Sequence, residues 1–228
     1  MTGGSGRFGS AFCAAFSDRY EIACVFHKHP PAPPHSRARF IDPLFPSAEL
    51  PENRDPVFAI PSDLRIPGEC ERILDLVHAR FGQIDVVIHA AVISVWGSMV
   101  ESSKLADSVN DQFLLNVICP FHLSTLLVRR HWRQDVDRNR RLNRNIINLS
   151  STAATRAYRG QGQSVYASSK AALNCLTIHM AHEFSVYGVR VNALAPDQFD
   201  SKVPLDRVLQ EAIKLDEATS TGEIVEVL

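Results

Sequence analysis

A tyrosine and a lysine four residues apart, Tyr166 and Lys170 in the run Val165-Tyr166-Ala167-Ser168-Ser169-Lys170, are the pair in this chain best suited to moving a proton. On a helix that spacing puts both side chains on one face, so the lysine ammonium can stabilise a phenolate. The help matters because an unperturbed tyrosine, with a pKa of about 10, is a poor proton shuttle near neutrality. Ser150 and Ser151 precede the pair, and the Ser151 hydroxyl can hydrogen-bond a carbonyl oxygen that receives the proton. As an isolated triplet, such residues are more often an exposed helix turn and a strand-end loop.

The chain opens on a glycine-rich run, Thr2-Gly3-Gly4-Ser5-Gly6-Arg7-Phe8-Gly9. A turn of this kind entering a helix lets backbone N–H groups approach a pyrophosphate, an anion that the positive end of the helix dipole favours. Gly3, Gly6 and Gly9 supply the close approach, and Ser5, Arg7 and Phe8 belong to the same candidate cradle. A tight turn with no ligand is the competing reading. Where dinucleotide folds commonly place an acid for the adenosine ribose, the chain reads Phe26-His27-Lys28-His29. With no acid there, His27 and Lys28, joined by Arg7, suit a 2′-phosphate and favour NADP over NAD; an exposed basic loop is the alternative. Together, the glycine turn and the Tyr–Lys pair suggest hydride transfer on a nicotinamide cofactor.

The elements that must position these groups alternate along the chain. Strand-like runs at Glu21 to Phe26, Val57 to Ile60 and Asp85 to His89 flank a helical pattern at Glu69 to Phe81, whose apolar positions include Ile73, Leu74 and Val77. A long apolar helix around Phe113 to Val128, a strand at Asn145 to Leu149, a helix from Tyr166 to Tyr187 and a strand at Arg190 to Leu194 continue the alternation, which implies a parallel α/β sheet. Residues 1–228 form one domain, with the proline-rich stretch 30–56 as an irregular surface excursion.

With 45% hydrophobic residues and a formal charge of −1, the composition fits an ordinary globular domain, and nothing in it points to nucleic acid. The arginines at 129, 130, 133, 138, 140, 141 and 144 read as a solvated loop. The five cysteines are odd in number and form no metal-type pair, so no metal is expected and a reducing cytoplasm is the simplest setting. No segment reads as a signal peptide or as long and apolar enough to span a bilayer.

Taken together, Thr2-Gly3 through Gly9, Asp63, His89-Ala90-Ala91-Val92, Asn116, Ser150-Ser151, Tyr166 with Lys170, and Val191-Asn192-Ala193 with Pro196 resemble the short-chain dehydrogenase/reductase family. The resemblance implies a doubly wound Rossmann fold in which Tyr166 is the general acid/base, while Lys170 lowers its pKa and holds the nicotinamide ribose. It implies that Ser151 orients the substrate carbonyl and that Asn116 serves a water-filled proton relay to the lysine. Asp63 and Leu64 would lie beside the adenine, and His89, Ala90, Ala91 and Pro196 would line the cofactor. A homodimer or homotetramer is implied, with the Tyr166 helix and the Asn116 helix packing against a partner.

Several positions depart from the family pattern. Arg7 replaces the middle glycine of the turn, as in pteridine reductases, although those usually carry aspartate at the position of Ser151. His89 and Val92 replace an asparagine and a glycine, and Asp197 replaces the glycine after Pro196. Only Met1 precedes the Thr-Gly turn, so the first strand is expected to be missing. The ending Glu223 to Leu228 resembles the start of a last helix, so a C-terminal strand is expected to be missing too. The leading expectation is an NADP-dependent oxidoreductase acting on a small-molecule carbonyl or alcohol. The alternative is a truncated, non-catalytic nucleotide-binding or oligomer-forming relative; a sugar-nucleotide epimerase needs a substrate domain for which the chain is too short.

Overall fold

The computed structural model describes residues 1–31, 57–198 and 202–228; beyond Pro30 and Pro31, the predicted excursion over 30–56 lies outside them. The strands are β1 (Ile22–Phe26), β2 (Val57–Pro61), β3 (Val86–His89), β4 (Asn145–Leu149), β5 (Arg190–Pro196) and β6 (Ile224–Val227). β1 pairs with β2, and β3-β4-β5-β6 follow one another, every pairing parallel. Thr2 joins the two groups by bridging to Val25 on one side and His89 on the other. β4 and β5 are buried at every position, as the middle of a sheet covered on both faces requires.

Helices cover both faces. On one lie α2 (Glu69–Phe81), α5 (Cys119–Leu127) and α7 (Ser164–Ser185), whose Ile73, Leu74, Leu123, Leu127, Met180 and Phe184 pack with Val87, Ile146 and Val191 of the sheet. On the other lie α1 (Arg7–Phe16) and α8 (Leu205–Glu217), whose Phe8, Phe12, Val208, Leu209 and Ile213 pack with Ile88, Ile147 and Leu194. α2 runs between two glycines in the left-handed region, Gly68 at φ 88° and Gly82 at φ 74°, and the Gly82 N–H closes the helix on the His78 carbonyl.

Before α5 come the short helices α3 (Ser103–Asp107) and α4 (Val109–Phe113). The stretch Val109–Trp132 is a single helix of 24 residues, wide-wound at Leu114–Ile118 and again at Val128–Trp132. By length and composition it does qualify to cross a membrane, which corrects the expectation that no segment would. In this fold Leu123, Leu127 and Trp132 on it are buried core residues.

The chain's two ends differ from expectation in different ways. No strand precedes β1 among the described residues, but Met1 and Thr2 are paired into the sheet rather than left outside it. The expected loss of the C-terminal strand is wrong: Ile224–Val227 is β6, in register with Ala193–Pro196. Three of its four residues are β-branched. Gly222, at φ 82°, turns the chain so that the Gly222 N–H bonds the Val191 carbonyl and the Glu223 carbonyl accepts from Ala193.

The arginine-rich region is helical in part, through α6 (Val136–Arg141), rather than a plain loop. Six of its seven arginines are exposed, but Arg144 is buried, donating to Asn139 Oδ1 at 2.7 Å and lying 5.4 Å from the Trp132 ring centroid.

Candidate active site

The candidate residues gather at the carboxyl ends of the strands, around Thr2, where successive strands part to opposite sides. That is where open α/β sheets place their ligands. The Thr2 hydroxyl accepts hydrogen bonds from the Ala90 and Ala91 N–H groups at 3.2 Å each, tying the glycine turn to the segment after β3. Gly3 sits at φ 73°, and a Cβ there would lie 2.5 Å from the Ala90 carbonyl. A Cβ on Gly9 would lie 2.4 Å from the Gly3 oxygen, and one on Gly4 1.9 Å from Cys24 Sγ. The turn is therefore built from glycines because the backbone and Cys24 leave no room for a side chain.

Gly6 caps α1 in an extended conformation with no side chain bonded back to the helix. Its first-turn N–H groups are aimed as an anion cradle requires, so these residues fit a dinucleotide pyrophosphate. Ser5 and Arg7 are exposed at this turn, whereas the Phe8 side chain is buried against Phe12, leaving only its backbone to face a ligand.

Toward the adenosine end, His27 Nε2 lies 3.6 Å from Asp63 Oδ2, and Lys28 is exposed. Asp63 is gripped by Arg65, whose Nε and Nη2 approach its two oxygens at 2.9 and 2.8 Å. That pairing holds the Asp63 carboxyl at a pKa of about 2. Its carboxylate is thus already engaged, and Arg65, which the sequence reading passed over, continues to Asp111 at 2.7 Å. The Leu64 side chain is buried, and its carbonyl accepts from Cys119 Sγ.

Ser151, Tyr166 and Lys170 line one cleft of about 360 Å³ together with Ala90, Ser150 and Pro196. Ser151 follows β4 in an extended conformation, its Oγ accepts from the Ala153 N–H at 3.2 Å, and it shares the cleft with Tyr166. Tyr166 and Lys170 lie in the first two turns of α7, with the Lys170 Nζ 5.9 Å from the Tyr166 ring centroid. Lys170 is buried and donates to the Leu149 carbonyl at 2.6 Å; burial brings its pKa down to about 7. For Tyr166, burial raises the pKa above its ordinary value and the Ser151 side chain pulls the other way. In this arrangement the Lys170 ammonium is turned onto the Leu149 carbonyl rather than towards the Tyr166 hydroxyl.

Asn116 is placed by a local defect in its helix. Pro120 has no N–H to give the carbonyl four residues before it, and the helix widens over Leu114–Ile118, around that carbonyl. The Asn116 amide is buried, accepting from the Ile93 N–H at 2.9 Å and donating to the Ile93 carbonyl at 2.9 Å and to Ser169 Oγ at 3.0 Å. Ser169 in turn donates to the Tyr166 carbonyl at 2.7 Å. Asn116 thereby links the segment after β3 to the helix that carries the Tyr–Lys pair.

The sequence matches the short chain dehydrogenase family over residues 45–211. The chain belongs to that family. It is 27% identical over 197 residues to an NADPH-dependent aldehyde reductase 1, chloroplastic, of Arabidopsis thaliana, a match covering 86% of this chain and 63% of that one. An uncharacterized oxidoreductase of Thermotoga maritima is 31% identical over 143 residues, 63% of this chain and 53% of its own length. The chain thus spans under two thirds of these relatives. Among solved structures, a Leptospira borgpetersenii short chain dehydrogenase with bound NAD+ superposes with a TM-score of 0.76 at 21% identity, covering 99% of this chain and 89% of that one. A Serratia marcescens short-chain dehydrogenase/reductase gives 0.75 at 21%, covering 99% and 93%. The α/β architecture of parallel strands between helices is theirs.

The departures of this short-chain dehydrogenase from its family's pattern are absorbed structurally. His89 does not line the cleft: its ring is buried, with Nε2 2.9 Å from the Ser124 hydroxyl, and burial lowers its pKa to about 3, so it is neutral. Ala90 and Val92 take the lining positions instead. Asp197 is held by Lys202 at 3.1 Å, the Tyr158 hydroxyl at 3.1 Å and the Gln198 N–H at 2.8 Å. Burial pulls its pKa up, but these partners outweigh that and leave it below the ordinary value. The Tyr158 hydroxyl also meets that of Thr152 at 2.7 Å, so a polar chain from Lys202 to Thr152 forms one rim of the cleft. Tyr158, Gln163 and Trp96 also line it, and only the fold brings them there, since no motif marks them in the sequence.

Proposed function

We propose that this chain is an oxidoreductase that binds a nicotinamide dinucleotide, NADP(H) in preference to NAD(H), and interconverts a small-molecule carbonyl and its alcohol. The observation that carries this reading is the gathering of Ser151, Tyr166 and Lys170 in one cleft at the end of the glycine turn. The nicotinamide, when bound, supplies the hydride for reduction or takes it up in oxidation. In reduction the hydride adds to the carbonyl carbon and Tyr166 gives its hydroxyl proton to the carbonyl oxygen, yielding the alcohol; oxidation reverses both transfers. Ser151 holds that oxygen by hydrogen bonding. Lys170, buried and titrating near neutrality, replaces the tyrosine's proton and steadies its anion once its ammonium leaves the Leu149 carbonyl.

The absence of an acid after β1, with His27, Lys28 and Arg7 near the expected ribose position, supports NADP. The printed name of the Arabidopsis relative, an NADPH-dependent aldehyde reductase, agrees with that preference and with a carbonyl substrate. Exposed Ile118 and Phe121 beside Asn116, and Ile178 on α7, support self-association through those helices into a homodimer or homotetramer. A cytoplasmic setting, with neither nucleic acid nor membrane as partner, completes the proposal. Thermal-shift titration with NADPH and NADH, followed by a carbonyl screen under NADPH oxidation, tests it. A larger shift with NADPH and turnover of at least one aldehyde or ketone are expected; equal shifts refute the cofactor preference, and binding without turnover across the screen refutes the enzyme.

A further inference from the structure

Part of the cleft takes no share in the proton and hydride transfers. There Gly97 and Gly162 meet through their backbones, the Gly97 N–H donating to the Gly162 carbonyl at 2.9 Å. Neither position has room for a side chain. Gly162 holds φ 61°, and a Cβ on it would lie 2.7 Å from the Gly97 carbonyl oxygen, while one on Gly97 would lie 2.7 Å from Ser102 Oγ. This contact brings the segment of Trp96, which precedes Gly97, against that of Gln163, which follows Gly162, and both residues line the cleft.

Gln163 stands at the N-terminus of α7, three residues before Tyr166 and seven before Lys170, so the three share one stripe of the helix. At roughly 1.5 Å of rise per residue, Gln163 lies about 4.5 Å beyond Tyr166, on the side away from Lys170. Its Oε1 is buried and has no hydrogen-bond partner among the described residues. A buried acceptor without a donor is destabilising unless something supplies one, and rotation about the last, soft torsion of the side chain turns that oxygen to the cleft. Tyr158 also faces the cleft as an acceptor, because its hydroxyl proton is given to Asp197 Oδ1 at 3.1 Å. Opposite in character is Trp96, whose indole is half exposed.

We propose that Gln163 and Trp96 select a polyhydroxylated carbonyl compound, an open-chain sugar or its polyol, over an apolar aldehyde or ketone; the proposal rests on the oxidoreductase reading of the same cleft. A sugar chain has two kinds of surface. Its hydroxyls supply the donors that Gln163 and Tyr158 lack, and a planar amide offers an acceptor and a donor side by side, the pattern of two neighbouring hydroxyls. Its C–H face packs on the flat indole of Trp96. An apolar chain of equal length makes the second contact but leaves the Gln163 oxygen without a donor. The offset of about 4.5 Å from Tyr166 spans about three bonds, so the hydroxyls read are those two and three carbons beyond the carbonyl.

The test compares D-erythrose with butanal, alike in length and carbonyl group, as substrates of the whole chain at saturating NADPH. The kcat/KM for erythrose is expected to exceed that for butanal at least tenfold. Gln163→Met keeps the length of the side chain and removes its amide; the erythrose-to-butanal ratio is expected to fall about tenfold, through KM. Trp96→Ala is expected to lower the ratio as well, and Trp96→Phe to keep it. Butanal used as well as erythrose, or a ratio that neither Gln163→Met nor Trp96→Ala moves, overturns the proposal and leaves the oxidoreductase reading standing. Where neither aldehyde is reduced, a thermal-shift titration with ribitol, with and without NADPH, decides instead. A saturable shift that weakens in Gln163→Met supports the site while the oxidoreductase reading fails. No shift, or one of equal size in the variant, as exclusion of a polyol from the protein surface produces, overturns the site.

Discussion

Lys170 sits in the cleft wall with the Leu149 carbonyl as its hydrogen-bond partner, and burial alone brings its pKa to about 7, far below the ordinary lysine value. Between about pH 7 and 10 the unfolded chain binds a proton that the folded lysine has released, so the folded state gains stability as pH rises through that window. Below about 7 both states hold the proton and the full cost of a buried ammonium remains. Lys170→Met removes this dependence. Its stability relative to the unsubstituted protein, read from urea midpoints at pH 7, 8.5 and 10, is expected to be most favourable at pH 7 and to decline steadily towards pH 10. A constant difference means that the lysine titrates alike folded and unfolded. Tyr166→Phe takes away only a hydroxyl in the cleft that Ser151 shares. NADPH-dependent turnover is expected to fall about a thousandfold while the NADPH thermal shift persists; retention of more than a tenth of the rate removes Tyr166 from the chemistry.

At the scale of elements, the glycine turn makes a sharper claim than its motif does. Gly4 has no room for a Cβ because Cys24 Sγ occupies the place, whereas at Gly3 the obstacle is the Ala90 backbone and the residue also holds a positive φ. Gly4→Ala is expected to destabilise the protein by about 1–3 kcal/mol, the range for overpacking, and Cys24→Ala in the same chain to restore much of that loss. Gly3→Ala is not expected to be rescued by Cys24→Ala, and urea melts of the five proteins check both statements. The turn, α2 between its two glycines and the strands β3, β4 and β5 were legible in the sequence because each has a local cause: breakers at the ends or an unbroken β-branched run. β6 was not, since Ile224 to Val227 is four residues whose apolar pattern suits a helix start as well, and only the open edge of β5 decides it. The Tyr–Lys pair was legible from its spacing, but the turn of Lys170 onto Leu149 depends on where β4 ends relative to α7. Likewise, His89 was placed correctly at the end of β3 while the direction of its ring, inward to Ser124, was not readable.

For the molecule as a whole, the parted sheet divides what the core unites. β4 is hydrogen-bonded on both edges, and all five of its residues are buried. Among the described residues, β1 is paired along its length with β2 on one edge, and towards β3 it meets Met1 and Thr2. Among the described residues, opening β1 and β2 away from β3 breaks fewer ladder bonds than opening β4, which is paired on both edges, so it costs less. The β1 amides are therefore expected to exchange with solvent deuterons about a hundredfold faster than those of Ile146 to Leu149, as a unit together with β2. Equal protection of β1 and β4 means that α1 and α2 clamp the two halves together strongly enough for the difference in strand pairing to carry no energetic weight.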